Sequence, residues 1–402
     1  MAFSRSPAAE NSGPVTDRPA SASGQVADGV KGEQGQGAYK VFGIYRFVLA
    51  LLVVLSHTWE FAFEAPERHF LSSIGIGNIG VMTFFILSGF IISEAIDRFY
   101  WGRPYSFLGN RFLRLIPPFW AAIGVSVIVH AALINHGARA LPAAYFRADM
   151  LSVETVLVNL TELIPILNVN NLIGLKEYYH FISYAWAVFI EVMFYLSVFA
   201  ICLVSGRRFI GRYASVGFLF YCMGGGILLA HLCHEYVHKL YRPLSFVPYF
   251  LLGVLLYRLR TRAGAVEWTG VVVVAPLMLL HFSRYIQGEV PLDHAWVANL
   301  MTARGLTALV LLVMAAVLIY PLSYAGAGLR LKNADRWFGD LSYPLYLNHY
   351  VIVVGFATLL EAKGARYQLA AILLSLALAY GMNVVVEAPL RRIRNSIRGV
   401  AL

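Results

Sequence analysis

Charge is what this chain has least of. Only 13% of its 402 residues are Asp, Glu, Lys or Arg, against 59% that are hydrophobic; a soluble domain carries about twice that charge. The shortage excludes an ordinary soluble domain. The apolar runs are too long and too unalternating for barrel strands, so the expected fold class is all-α, a polytopic helical membrane protein. Cysteine is scarce too. Cys202, Cys222 and Cys233 sit in or beside apolar segments at irregular spacing, which is no zinc or disulfide pattern and reads as small core residues. No P-loop and no G-x-S-x-G is present. Residues 75–80, GIGNIG, spell a literal G-x-G-x-x-G, but they precede a membrane helix instead of joining a strand to a helix, so a dinucleotide site is set aside. His130, His136, His231, His234, His238 and His281 share no ligand spacing, and no metal is expected. An apolar signal-peptide core near Met1 is also lacking. Residues 1–38 are rich in Gly, Ala, Ser, Gln and Pro without apolar periodicity. They read as a disordered cytoplasmic tail, ahead of a membrane domain over 39–398.

What is present is a series of apolar segments. Ten candidate spans lie near 41–62, 78–96, 115–136, 184–205, 213–233, 243–258, 266–286, 302–322, 341–360 and 368–388. The longest connector, 137–183, has apolar patches but is broken by Pro165 and a run of Asn; it is expected outside the membrane core or along its surface. Arginines and lysines concentrate in alternate loops, around Arg98–Arg114, Arg207–Arg212, Arg258–Arg262, Arg330–Arg336 and Arg391–Arg398. In a ten-span arrangement these loops share one side, which puts both termini in the cytoplasm. The net charge of +10 is therefore mostly a topology signal. The bilayer, not nucleic acid, is the partner it implies.

The first span carries the most informative pair. Arg46 and His57 lie in the segment around FVLALLVVLSH, where ionisable groups are costly and point to function. Eleven residues apart on a helix, they share one face at about 16 Å separation. One stripe then holds a fixed positive charge near a membrane surface and a titratable base deeper in. This suits a path on which an anion is held at one end and reacts at the other. RFLRLIPPFW puts Arg111 and Arg114 at i and i+3, on a short helix that Pro117 and Pro118 interrupt. Two guanidiniums there either clamp a phosphate-bearing ligand or anchor topology. Glu191 lies inside span 4, flanked by Trp186, Phe194 and Tyr195; it either orients a base or ties helices together. Ser88 and Gly89 in GVMTFFILSGFII mark close packing or make room for a threaded ligand. Tyr343, Tyr346, Asn348 and His349 add polar groups to span 9, which opens as DLSYPLYLNHY with Pro344 in its first turns. Glu387 precedes a basic tail, and its simplest partner is Arg391 or another arginine of that side.

Taken in order, R-x10-H (Arg46, His57), FFILSGFII, RFLR, W-x4-E-x2-F-Y (Trp186 to Tyr195), SYPLYLNH (ending in His349) and E-x-P (Glu387, Pro389) resemble the acyltransferase-3 family. These are multi-pass membrane proteins that O-acetylate bacterial surface glycans. The resemblance covers about residues 40–395 and departs at Trp186-Ala187-Val188, where the family usually has W-S-L. It implies an acyl-CoA donor, usually acetyl-CoA, entering from the cytoplasm. The implied acceptor is a sugar hydroxyl on a lipid-linked or exported glycan such as an exopolysaccharide or O-antigen, and the implied location is the bacterial inner membrane. By the match His57 is the catalytic residue with Arg46 its partner, and Glu191 and His349 occupy family positions of less defined role. Arg46, Arg111, Arg114 and Ser88 are the candidates for holding the donor. Many relatives add an extracytoplasmic hydrolase-like domain; here the chain ends soon after Glu387, so one membrane domain is expected to perform the transfer. Direct transfer and an acyl-His57 intermediate both remain open. The rivals from other classes are a multi-pass glycan or small-molecule transporter, and a glycan polymerase or ligase.

Overall fold

The computed structural model describes residues 41–62, 74–135, 149–205 (save 166, 176 and 177), 244–286, 294–359 (save 327) and 364–399. All belong to one compact unit, Lys40–Leu402. The expected tail, the span at 213–233, and Cys222 and Cys233 lie outside the described residues. The described chain is helical, with no strand: α1 Gly43–Thr58, α2 Ile76–Ala95, α3 Pro104–Asn135, α4 Val153–Thr161, α5 Ala185–Ser205, α6 Val247–Thr261, α7 Ala265–Ile286, α8 Ala303–Leu322, α9 Leu329–Leu359, α10 Ala365–Met382 and α11 Ala388–Arg398. A π turn, Asn383–Glu387, joins α10 to α11.

Seven stretches, built on α1, α2, α3, α5, α7, α8 and the α10–α11 run, are long and apolar enough to cross a membrane. The difference from ten has identifiable sources. Helix α6 is 15 residues long, short of the roughly 20 a span needs. Helix α9 is 31 residues long but buries Ser342, Asn348 and His349 along it, which lowers its apolar character. Pro344 does not open α9 either: the helix begins at Leu329 and runs through the proline. Pro117 and Pro118 likewise lie inside α3, not at a break. Helix α9 is tied to this turn, because the Tyr343 hydroxyl donates to the Leu115 carbonyl at 2.9 Å. Packed membrane helices tolerate proline inside a helix more readily than exposed helices do.

Helix α2 is the hub, packed against α1, α6 and α8, and it is buried around most of its circumference. At Gly89 and Gly253 the α2 and α6 backbones meet directly. A Cβ on Gly89 would collide with the Phe250 carbonyl, and one on Gly253 with the Ile86 carbonyl. Small residues permit such close crossings, and dispersion and packing then hold the pair. Helix α1 sits between α2 and α9, while α3 packs against α5, α9 and α11. The basic tail closes on this group: Glu387 pairs with Arg394 at 3.0 Å, not with Arg391, which pairs with Asp340.

The connector before α5 is more than a surface strap. Val158, Asn159 and Leu163 are fully buried, and the segment is fastened along α3. Trp120 Nε1 donates to the Leu160 carbonyl, and Ser126 Oγ to the Phe181 carbonyl. The Asn159 side chain donates to the Tyr179 carbonyl and accepts from the Phe181 amide. Side-chain amides supply the partners that an irregular buried backbone requires. The result fixes the approach to Tyr184, which forms one wall of the site.

Candidate active site

Two cavities lie end to end inside the helix cluster. The first is lined by Arg46 of α1, Arg111 and Arg114 of α3, Ser88 of α2, and Glu191 and Tyr195 of α5. Five residues singled out in the sequence for an anionic donor or for catalysis thus share one space. Arg111 is 3% exposed. Among the described residues it has no carboxylate in ion-pair reach, and its Nε has no hydrogen-bond partner. Its guanidinium instead lies 5.6 Å from the ring centres of Phe107 and of Tyr195. Arg114 also makes no ion pair among the described residues. A buried guanidinium without a carboxylate beside it is costly, so the Arg111 side of this cavity suits an anion, while Arg114 is partly compensated by Glu191, Glu387 and Asp340. Glu191 makes no ion pair with these arginines, although its charge acts on Arg114; its Oε1 accepts from Ser88 Oγ at 2.7 Å and from the Tyr195 hydroxyl. Its hydrogen-bond partners are therefore not the histidines, and nothing here places it beside a base.

The second cavity is lined by His57 and Ser56 of α1, Asn78 of α2, and the aromatic residues Tyr184, Trp186 and Tyr285. His57 Nδ1 lies 3.2 Å from His349 Nε2. His349 is 0% exposed, and its Nδ1 lies 2.7 Å from the Tyr346 carbonyl. A carbonyl only accepts, so His349 Nδ1 carries a proton. With no carboxylate beside it among the described residues, His349 is neutral, since a charged ring there would be uncompensated. Its Nε2 is then an acceptor, and His57 Nδ1 must be the donor to it. The hydrogen-bond network, from which tautomers are inferred, thus leaves the lone pair of His57 on Nε2. The Tyr184 ring stacks on His57 at 3.8 Å between centroids and 16° between planes, which fixes the imidazole's plane.

Val81 and Tyr346 line both cavities; they are where the arginine space meets the histidine space. The Tyr346 hydroxyl donates to the Tyr184 carbonyl at 2.7 Å, and its own carbonyl sets the His349 tautomer. One residue therefore links the wall between the cavities to the histidine pair. Arg46 and His57 on α1 lie one in each cavity, as their shared helix face implies. Val81, Ser56, Asn78 and Tyr184 carried no signal in the sequence, because none is an unusual residue in its segment. The discarded GIGNIG does contribute, as the start of α2 with Gly75 left-handed (φ 67°), and Gly75, Gly77 and Asn78 line the second cavity.

A family model described as an acyltransferase domain, Acyl_transf_3, matches residues 43–384. No curated protein and no solved structure matches the chain. The matched region runs from the start of α1 to the end of α10 and takes in Arg46, His57, Ser88, Arg111, Arg114, Glu191 and His349, every residue from which the two cavities were recognised. The chain is a multi-pass membrane protein with acyltransferase activity, and it belongs to the acyltransferase-3 family.

Proposed function

We propose that the protein is an O-acyltransferase that carries an acetyl group from cytoplasmic acetyl-CoA to a hydroxyl of a lipid-linked or exported glycan, in a bacterial inner membrane with both termini cytoplasmic. The observation that carries this reading is the buried, carboxylate-free Arg111, which shares a cavity with Arg46 and Arg114 and adjoins the chamber of His57. Phosphates of the donor suit the guanidiniums, which bind them in bidentate fashion. The extended pantetheine arm follows the α1 stripe for about 16 Å and brings the thioester past Val81 and Tyr346. On the far side, the faces of Trp186 and Tyr285 offer flat apolar surfaces to a sugar ring, and His57 Nε2 takes the proton of the attacking hydroxyl. The alcohol oxygen bonds to the thioester carbon, the C–S bond breaks, and the thiolate recovers the proton from His57. No net proton is released. Asn78, whose amide makes no hydrogen bond among the described residues, is the neutral donor for the oxyanion. Because donor and acceptor occupy separate cavities, both are bound at once and transfer is direct. His349 acts through His57 as a positioning residue, and Glu191 serves the donor cavity instead of proton transfer.

The test is thiol release from acetyl-CoA by the purified protein in lipid nanodiscs supplied with lipid-linked glycan. Wild type releases thiol and labels the glycan. Arg111→Ala raises the KM for acetyl-CoA by about tenfold or more, the equivalent of one lost charge-assisted contact, and lowers kcat less. Absence of thiol release by wild type would turn the assignment toward a transporter, and an unchanged KM would leave Arg111 a topology anchor.

A further inference from the structure

We propose that Val81 and Tyr346 form a fixed neck that selects the acyl group by its cross-section, admitting unbranched acyl thioesters and rejecting those branched beside the carbonyl. This rests on the acyl-CoA reading of the arginine cavity. The acyl group is the leading end of the donor, so it must pass wherever the two cavities meet before its carbonyl reaches His57. Val81 and Tyr346 are the side chains common to both linings, and they are 6% and 7% exposed. Neither has room to withdraw. The Tyr346 hydroxyl is tied to the Tyr184 carbonyl at 2.7 Å, and Tyr184 is itself stacked on His57. Val81 follows Gly80, where α2 is pressed onto α1 so closely that an added Cβ would sit 2.9 Å from the Leu49 carbonyl and 3.3 Å from a Val53 methyl. The backbone carrying Val81 is therefore held against α1, and the width of the neck is set by the valine methyls on one side and a pinned phenol ring on the other. A methyl branch next to the thioester carbonyl adds width at the point of passage. Added length along the chain does not, and it extends into the chamber beyond.

The experiment compares kcat/KM for acetyl-, n-butyryl- and isobutyryl-CoA, the last two having equal carbon count, in wild type, Val81→Ala and Val81→Leu. Binding of CoA itself is measured alongside. Wild type uses n-butyryl-CoA in preference to isobutyryl-CoA. Val81→Ala raises the isobutyryl-to-n-butyryl ratio about tenfold, the scale on which apolar pockets sense a methyl group. Val81→Leu lowers acetyl transfer while CoA binding holds. Because the readout is a ratio, a general loss of folded protein does not mimic it. A ratio that is the same in wild type and Val81→Ala, with CoA binding intact, overturns the neck and leaves the acyltransferase reading standing. Wild type that neither binds CoA nor releases thiol from any of the three overturns the underlying reading, and the neck with it.

Discussion

His57 has two ring nitrogens with different tasks. Nδ1 is spent on His349 at 3.2 Å, which leaves on Nε2 the lone pair that the proposed base requires. The assignment depends on the Tyr346 carbonyl beside His349, so it predicts a defined failure. His349→Ala removes the acceptor that holds the His57 tautomer and lowers kcat by about 10²-fold, with the KM for acetyl-CoA unchanged, since wrong-tautomer effects in histidine bases are at least of that size. His349→Gln, whose amide oxygen can accept from Nδ1–H, recovers part of the loss. An unchanged kcat in His349→Ala would show that the pair is structural only. The separate residues of the site were legible in the sequence: Arg46, His57 and Glu191 because ionisable groups inside apolar runs are rare and costly, Arg111 and Arg114 because they form an i, i+3 pair of guanidiniums before span 3. Their division into two spaces was not legible. Glu191 illustrates this: its segment indicates a membrane carboxylate, but only the approach of α2 and α5 shows that its partners are Ser88 and Tyr195. Tyr184 opened the candidate span at 184–205 with nothing to single it out, and its stacking on His57 depends on hydrogen bonds from α3 that no local pattern records.

At the scale of elements, hydropathy located most helices and misplaced several of their ends. Proline is a good boundary marker in water and a poorer one between packed membrane helices, which tolerate it inside a helix. That is why α3 and α9 run through Pro117, Pro118 and Pro344. Small residues were a better guide. The Ser88-Gly89 pair read as close packing or as room for a ligand, and it does both: Gly89 meets the α6 backbone, while Ser88 faces the arginine cavity. The α2–α6 crossing is correspondingly intolerant. Gly253→Ala places a methyl against the Ile86 carbonyl and costs about 1–3 kcal/mol, the usual range for overpacking. Thermal unfolding in detergent shows it as a lowered Tm, whereas Ala at Gly355, where an added Cβ meets nothing within 4 Å, leaves Tm nearly unchanged. Equal Tm values for the two variants would mean that the crossing is looser than its backbone contacts indicate.

Across the whole molecule, the helices sort their chemistry by position along α1. Its Arg46 end opens on a cavity that holds three guanidiniums and Glu191, its His57 end on a cavity of aromatic and neutral polar groups, and Val81 of α2 and Tyr346 of α9 line both. In the proposed reaction, this arrangement brings an anionic donor and a neutral hydroxylic acceptor to a single imidazole from separate cavities. The central claim is that His57 acts at that meeting point and not in holding the donor. The most direct measurement follows labelled acetyl from acetyl-CoA to lipid-linked glycan in nanodiscs, with CoA binding recorded on the same samples, for wild type and His57→Gln. The account predicts that His57→Gln binds CoA as wild type does and transfers acetyl at least about 10²-fold more slowly, the scale of a lost general base. Transfer at the wild-type rate by His57→Gln would contradict it.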